Sequence, residues 1–172
     1  TQDNGTLFYS GDPQNWFPIF GGDGGYGAAD PADPNYFYGE IQRALIHRSS
    51  NGGQSSSYIY AGSSPIQDAG SSTACNFIPF FMLDPNQPAR MLVGCERLWR
   101  SNNVKATQPT WASIKPSIRP PGDQAGPSTG NAHFAPNSPW NIATMAVAPG
   151  NSSVIWVGHN DGSVFLTNNG TA

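Results

Sequence analysis

A pattern of strand and turn signals recurs along this chain, and that recurrence limits the fold more than any single residue does. Its central copy is residues 77–103, FIPFFMLDPNQPARMLVGCERLWRSNN. An apolar run ends at Leu83, and Asp84-Pro85-Asn86-Gln87-Pro88 follows as turn chemistry, because each Pro fixes φ and the Asx side chains bond their own backbone. A second run, Met91-Leu92-Val93, breaks at Gly94-Cys95-Glu96 before a third strand, Leu98-Trp99-Arg100. The pattern returns over residues 28–51 (AADPADPNYFYGE, then ALIHRSSN) and 146–169 (AVAPGNSSVIWVGHNDGSVFLTNN), with Asp30, Asp84 and Ala148 in equivalent places, 54 and 64 residues apart. The opening TQDNGTLFYS matches HNDGSVFLT of the last copy turn for turn. Periods of this length, with about four strand signals each, predict β-propeller blades rather than a helical solenoid.

Composition agrees. Only 11% of the 172 residues are charged, while 20 Gly and 16 Pro break helices and favour short strands with many turns, an all-β composition. An aromatic content of 12% argues against disorder. The net charge is −3 and the eight Lys and Arg are scattered, so there is no basic stripe for nucleic acid. No apolar run approaches the roughly 18 residues of a membrane-spanning helix. Without an initiator Met, and with both ends inside a repeat, the chain reads as a mature product, a fragment or the ordered part of something longer. Cys75 and Cys95 flank the first two strands of the central copy; if those strands form a hairpin the two residues approach, giving a cross-strand disulfide or two small buried side chains.

Taken in order, residues 1–20 supply strands at 6–10 and 16–20, the third and fourth strands of a half blade. GGDGG at 21–25 is a sharp steric crossing or a close backbone approach to a partner. A blade at 21–61 has strands near 26–29, 36–39, 44–48 and 57–60, and a blade at 62–114 ends on a strand at 110–114. Pro79 falls inside the first strand of that blade, a place tolerated on an innermost edge. Residues 115–140 form a loop with six prolines, and 141–172 an incomplete blade with strands at 142–148, 154–158 and 163–167. The expected architecture is a partial ring of four-stranded antiparallel sheets, about three blades with incomplete terminal pieces, closed by more chain or by partner copies.

The segments GGDGGYGAADPADPNYFYGE, LDPNQPARMLVGCERLWRSNN and IATMAVAPGNSSVIWVGHNDGSVFLTNNGT resemble the bacterial-neuraminidase-repeat propellers, which include sortilin-type ectodomains and xyloglucanase-like glycoside hydrolases. The family's Asp-box, roughly Ser-x-Asp-x-Gly-x-x-Trp, has worn counterparts: Ser49-Ser50-Asn51-Gly52-Gly53 has Asn for Asp and no Trp, Ser101-Asn102-Asn103 lacks the Gly, and Thr167-Asn168-Asn169-Gly170 is cut short by the chain end. In the family this box is a folding motif, a role that Asn keeps. The xyloglucanase-like relatives carry a catalytic carboxylate in a Thr-Asp-x-Gly-Gly turn, which Asp3 and Asp161 resemble loosely. A glycosidase needs two carboxylates about 5 to 10 Å apart, yet tight hairpins also favour Asp-Gly and Asp-Asn-Gly. The sialidase arginine triad is not evident.

Successive turns of a meander fall on alternate ends of a blade. That places Asp3, Asn4, Asp23, Glu40, Arg43, Glu96, Arg97, His133, Trp140, His159 and Asp161 on the end shared with the inter-blade crossings, where a propeller binds its ligand. Trp140 is a sugar-stacking residue or a loop anchor, while Trp16, Trp99, Trp111 and Trp156 read as inter-blade packing. No metal-ligand spacing, phosphate loop or nucleophile elbow occurs, so neither metal nor cofactor is expected. Asn4, Asn151 and Asn169 begin sequons that are glycan acceptors in a eukaryotic secretory route or chance in an Asn- and Ser-rich chain. The leading expectation is a non-catalytic, extracytoplasmic binding or assembly module whose partners are other copies or the remaining blades of a longer chain. The alternative is a piece of a polysaccharide-active hydrolase of the xyloglucanase-like kind.

Overall fold

The computed structural model describes residues 3–9, 11–123 and 138–170, and among them are thirteen strands and no helix. β1 (Thr6–Tyr9) and β2 (Trp16–Phe20) pair as a two-stranded sheet. β3 (Gly27–Ala29), β4 (Phe37–Glu40), β5 (Ile46–Ser49) and β6 (Ser57–Tyr58) make a four-stranded sheet, as do β7 (Phe81–Asp84), β8 (Gln87–Gly94), β9 (Leu98–Ser101) and β10 (Ala112–Lys115). The last sheet has three strands: β11 (Ile142–Ala148), β12 (Asn151–His159) and β13 (Val164–Thr167). Every pairing is antiparallel between chain neighbours, so each sheet is an up-and-down meander.

Alternation along the strands explains how the sheets stack. Successive side chains of a strand point to opposite faces. Met91 and Val93 of β8, with Trp99 of β9, therefore pack against Tyr38 and Ile46 of the second sheet. Leu92 and Leu98 point the other way, onto Ile142, Met145, Val147, Ile155 and Val157 of the last sheet. The C-terminal half of β8 is buried on both faces, and its run MLVG is correspondingly apolar without a solvent side. The first sheet meets the second through Phe8 against Phe37, ring centroids 5.3 Å apart, and Phe20 against His47 at 5.0 Å. The sheets thus follow one another face to face in chain order, forming part of a ring.

Two local expectations change. Pro79 lies outside β7, which starts at Phe81, so it removes no ladder bond. The turn after β7 is tighter than the five residues Asp84 to Pro88: Asp84 pairs with Gln87, leaving Pro85 and Asn86 as the loop, and Pro88 belongs to β8. Pro88 is tolerated because β8 meets β9 only from Met91 onward, so no ladder bond to β9 needs its missing N–H.

Cys75 and Cys95 are joined, with Cα atoms 4.3 Å apart, and both are buried. The bond lies outside the β7–β8 ladder: it ties the connection entering the third sheet to the turn after β8, closing a span of 20 residues. The Cys75→Ala/Cys95→Ala double variant is expected to lose about 3 kcal/mol of stability, chiefly because its unfolded chain is no longer constrained. Urea unfolding of the two proteins, followed by fluorescence, measures that difference.

Candidate functional site

The two ends of the sheets differ in chemistry. At one end, each turn after a third strand is closed by the same Ser/Thr-x-Asn pattern. Ser49 Oγ donates to Asn51 Oδ1 (3.0 Å), Ser101 Oγ to Asn103 Oδ1 (3.1 Å) and Thr167 Oγ1 to Asn169 Oδ1 (2.9 Å). Asn51 and Asn103 also accept from the backbone N–H groups of Ser55 and Thr110, each at 3.0 Å. Short polar side chains here satisfy turn backbone. Neighbouring sheets are clasped at the same end. Lys105 Nζ lies 2.6 Å from Asp30 Oδ2, and Asn86 Nδ2 donates to the Ala148 carbonyl at 3.0 Å. Arg48 reaches over to the carbonyls of Val104, at 2.8 Å, and Ala106, and Arg100 to that of Gly170. The whole end is occupied with holding sheets together.

The other end, where the chain crosses between sheets, carries the expected ligand-facing residues and the backbone's strained points. Asp3, Arg43 and Ala44 are the non-glycine residues at positive φ among those described, at 63°, 55° and 63°. A left-handed backbone costs free energy for an L side chain, and such positions are enriched at working sites. Arg43 is pinned there: its N–H donates to the Phe77 carbonyl (2.9 Å), its own carbonyl accepts from Gly70 N–H (2.8 Å), and its guanidinium lies over the Phe77 ring.

The carboxylates of this end are engaged one by one. Asp23 accepts from Asp3 N–H at 3.3 Å and from the Gln42 amide. Glu96 pairs with Arg119 at 2.6 Å and accepts from the Ser117 hydroxyl. Asp161 accepts from Ser163 Oγ (2.6 Å) and N–H (2.8 Å), and those bonds hold its pKa below the ordinary range. Trp140 Nε1 donates to Asp123 at 2.8 Å, so the indole ties two points of the proline-rich loop together, as a loop anchor does. Arg97 bonds Asp68 at 2.9 Å with its side chain 39% exposed.

Two expected surface groups lie inside. Glu40 is fully buried; Oε1 accepts from Tyr26 N–H at 3.1 Å, and Oε2 has no partner among the described residues. Desolvation pushes its pKa up to about 8, so at neutral pH it is a neutral acid rather than a surface carboxylate. His159 is likewise buried. Its Nδ1 is 2.7 Å from the Trp140 carbonyl, its ring meets Phe165 edge on, and burial lowers its pKa. Both side chains are covered by neighbouring chain, Glu40 by the crossing at Gly25 and Tyr26 and His159 by Trp140 and Phe165.

Asp3 and Asp161 are not brought face to face. Asp3 precedes β1 and Asp161 lies between β12 and β13, so they belong to the first and last sheets with two sheets between. Of the tryptophans, Trp99 and Trp111 are buried at the junction of the second and third sheets, whereas Trp16 and Trp156 are exposed. Asn4, Asn151 and Asn169 are exposed, Asn169 being engaged by Thr167. His133 and most of the proline-rich stretch lie outside the described residues. Among those described, no group of three His, Cys, Asp or Glu is arranged for a metal, and no helix is long and apolar enough to cross a membrane.

Sequence reasoning missed Asp68. It is buried in the connection between the second and third sheets, where it accepts from Arg97 Nη1 (2.9 Å), Arg97 N–H (3.2 Å) and Trp99 Nε1 (2.9 Å). The only signal for it was an acid in an otherwise uncharged Ser-, Gly- and Ala-rich stretch.

No family profile and no curated protein matches the chain. Among solved structures it is similar to an ancestral GH74 enzyme, with a TM-score of 0.62 over 99% of this chain and 11% sequence identity. The chain spans 21% of that enzyme's length. At this identity the likeness speaks for fold alone, and with the sheet order it shows an all-β, partial ring of antiparallel β-propeller sheets.

Proposed function

We propose that the chain is a non-catalytic wall segment of a larger, extracytoplasmic, polysaccharide-binding β-propeller of the bacterial-neuraminidase-repeat kind. One observation carries this reading: on the crossing end, Asp23, Glu40, Asp68, Glu96, Asp123 and Asp161 are each engaged in holding the structure, and Asp3 and Asp161 sit on different terminal sheets. A glycosidase pair needs two carboxyl groups facing each other across one bond, and the described residues offer no such pair. The disulfide supports an oxidising compartment, and the sequence resemblance to xyloglucanase-like propellers supports polysaccharide as the ligand class.

The test is incubation of the chain with a panel of β-glucans, with soluble-glucan affinity electrophoresis beside a reducing-sugar assay. Retardation by at least one glucan without release of reducing ends is the expected result, and Asp161→Ala should leave the retardation unchanged. Turnover abolished by Asp161→Ala or Asp3→Ala would establish the alternative, a catalytic piece of a xyloglucanase-like hydrolase. Migration indifferent to every glucan would remove the polysaccharide assignment.

A further inference from the structure

With one exception, the arginines direct their donors at oxygen acceptors inside the fold. Arg48 and Arg100 reach carbonyls at the following sheet, Arg90 bonds Asp84 and Asn102, Arg97 bonds Asp68, and Arg119 bonds Glu96. The lysines are engaged too, Lys105 by Asp30 and Lys115 by the Pro116 carbonyl. Arg43 is the exception. Its guanidinium meets no hydrogen-bond acceptor and no carboxylate among the described residues; it lies over the Phe77 ring, with Cζ 5.6 Å from the centroid.

The backbone beneath this side chain is strained. Arg43 and Ala44 are consecutive residues at positive φ, a conformation that an L side chain disfavours. At the other end of β5 the chain meets the same requirement with glycine, Gly52 and Gly53 at 68° and 88°. The Arg43 turn is held by backbone bonds alone, to the Phe77 carbonyl and from Gly70 N–H, so glycine would hold it with less strain. A strained residue whose side-chain donors the fold leaves unused marks a binding position.

We propose that Arg43, backed by Phe77, binds the carboxylate of a uronic-acid unit, so that the polysaccharide taken by this crossing end is an acidic one. The inference rests on the reading above that the chain binds polysaccharide. A guanidinium supported by a ring keeps its planar fork of N–H donors, which matches a carboxylate with two parallel bonds. The carboxylates of the adjoining segments are already engaged, Asp23 by the Gln42 amide and Asp68 by Arg97, which leaves the Arg43 charge for a ligand. Exposed rings stand at the same junction of the two four-stranded sheets: Phe77, 39% exposed, and Tyr26, 41% exposed and edge on to Phe80. They offer the C–H face of a sugar an apolar platform beside the cation.

Isothermal titration of the chain with a β-linked glucuronic-acid oligomer, and with the neutral glucose oligomer of the same linkage and length, tests this. The acidic oligomer should bind at least about tenfold more tightly, by a margin that shrinks as salt is added. Arg43→Gln should remove the preference, and Arg43→Lys, which keeps the charge without the planar fork, should retain only part of it. Arg43→Gly should also lose the preference, with a urea midpoint no lower than that of the wild type, since it relieves the turn. A preference that survives in Arg43→Gln overturns the proposal, as does a lowered midpoint in both Arg43→Gln and Arg43→Gly, which would make the side chain structural. Binding of the neutral oligomer alone, or of both equally, overturns this inference and leaves the functional reading standing, whereas binding of neither overturns both.

Discussion

The contribution of Glu40 to stability should fall steadily as pH rises from about 4.5 to about 8, and Glu40→Gln should abolish that part of the slope. The ordinary pKa of a glutamate here is 4.5, and burial raises that of Glu40 to about 8 in the folded chain. Between these values the folded state holds a proton that the unfolded state has released, so stability falls with increasing pH. The contribution is fully present below the unfolded value and is lost once pH passes the folded one. A shift of this size corresponds to a few kcal/mol, on the order of 1.4 kcal/mol per unit. Gln keeps the acceptor for Tyr26 N–H and removes the titration. His47 acts in the opposite sense: both its ring nitrogens are buried without partners among the described residues, its pKa is lowered by desolvation, and its contribution is lost as pH falls through the lowered value. The informative quantity is therefore the difference between wild type and Glu40→Gln at each pH, read from urea midpoints. A constant difference from pH 4 to pH 9 would mean that Glu40 does not titrate as its burial requires.

Replacing Asp68 by alanine is expected to cost about 3 kcal/mol or more, a large fraction of the stability of a domain this size. Three donors converge on that carboxylate, and one of them is the indole of Trp99, which is itself buried between the second and third sheets. The Arg97 guanidinium is partly exposed and can turn to water, so its loss contributes little. The expense lies in Trp99 Nε1 and Arg97 N–H, which lose their acceptor in a place water reaches poorly. Asp68→Asn keeps one acceptor oxygen and should recover part of the loss. Chemical unfolding of the two variants separates these contributions; equal loss in both would place the stabilisation in the charge rather than in the Trp99 bond.

The strands were legible because their chemistry is local. WFPIF and IATMAVA are bounded by turn residues, and β2 and β11 occupy those segments residue for residue. Cys75 and Cys95 were legible as neighbours because one hairpin separates them, although their bond sits beyond the ladder. The candidate site was legible only as a list of residues at one end. Topology set Glu40 and His159 near that end, but exposure depends on what packs over the strand end, and Tyr26 covers Glu40 while Trp140 and Phe165 cover His159. Asp68 was illegible because its partners lie 29 and 31 residues away and no spacing rule links them. Asp161 followed the plainer of its two chemistries, in which an Asp-Gly turn uses its carboxylate on its own backbone.

The clasps made by Arg48 and Arg100 run in one sense only, from each sheet to the one that follows it. Shortening the chain from its two ends is therefore not equivalent. Removal of the last sheet breaks the Arg100 clasp to the Gly170 carbonyl and bares Leu92 and Leu98 to water, whereas removal of the first sheet leaves both clasps intact. The molecule has a vulnerable side and a forgiving one, set by the direction in which two guanidinium groups reach.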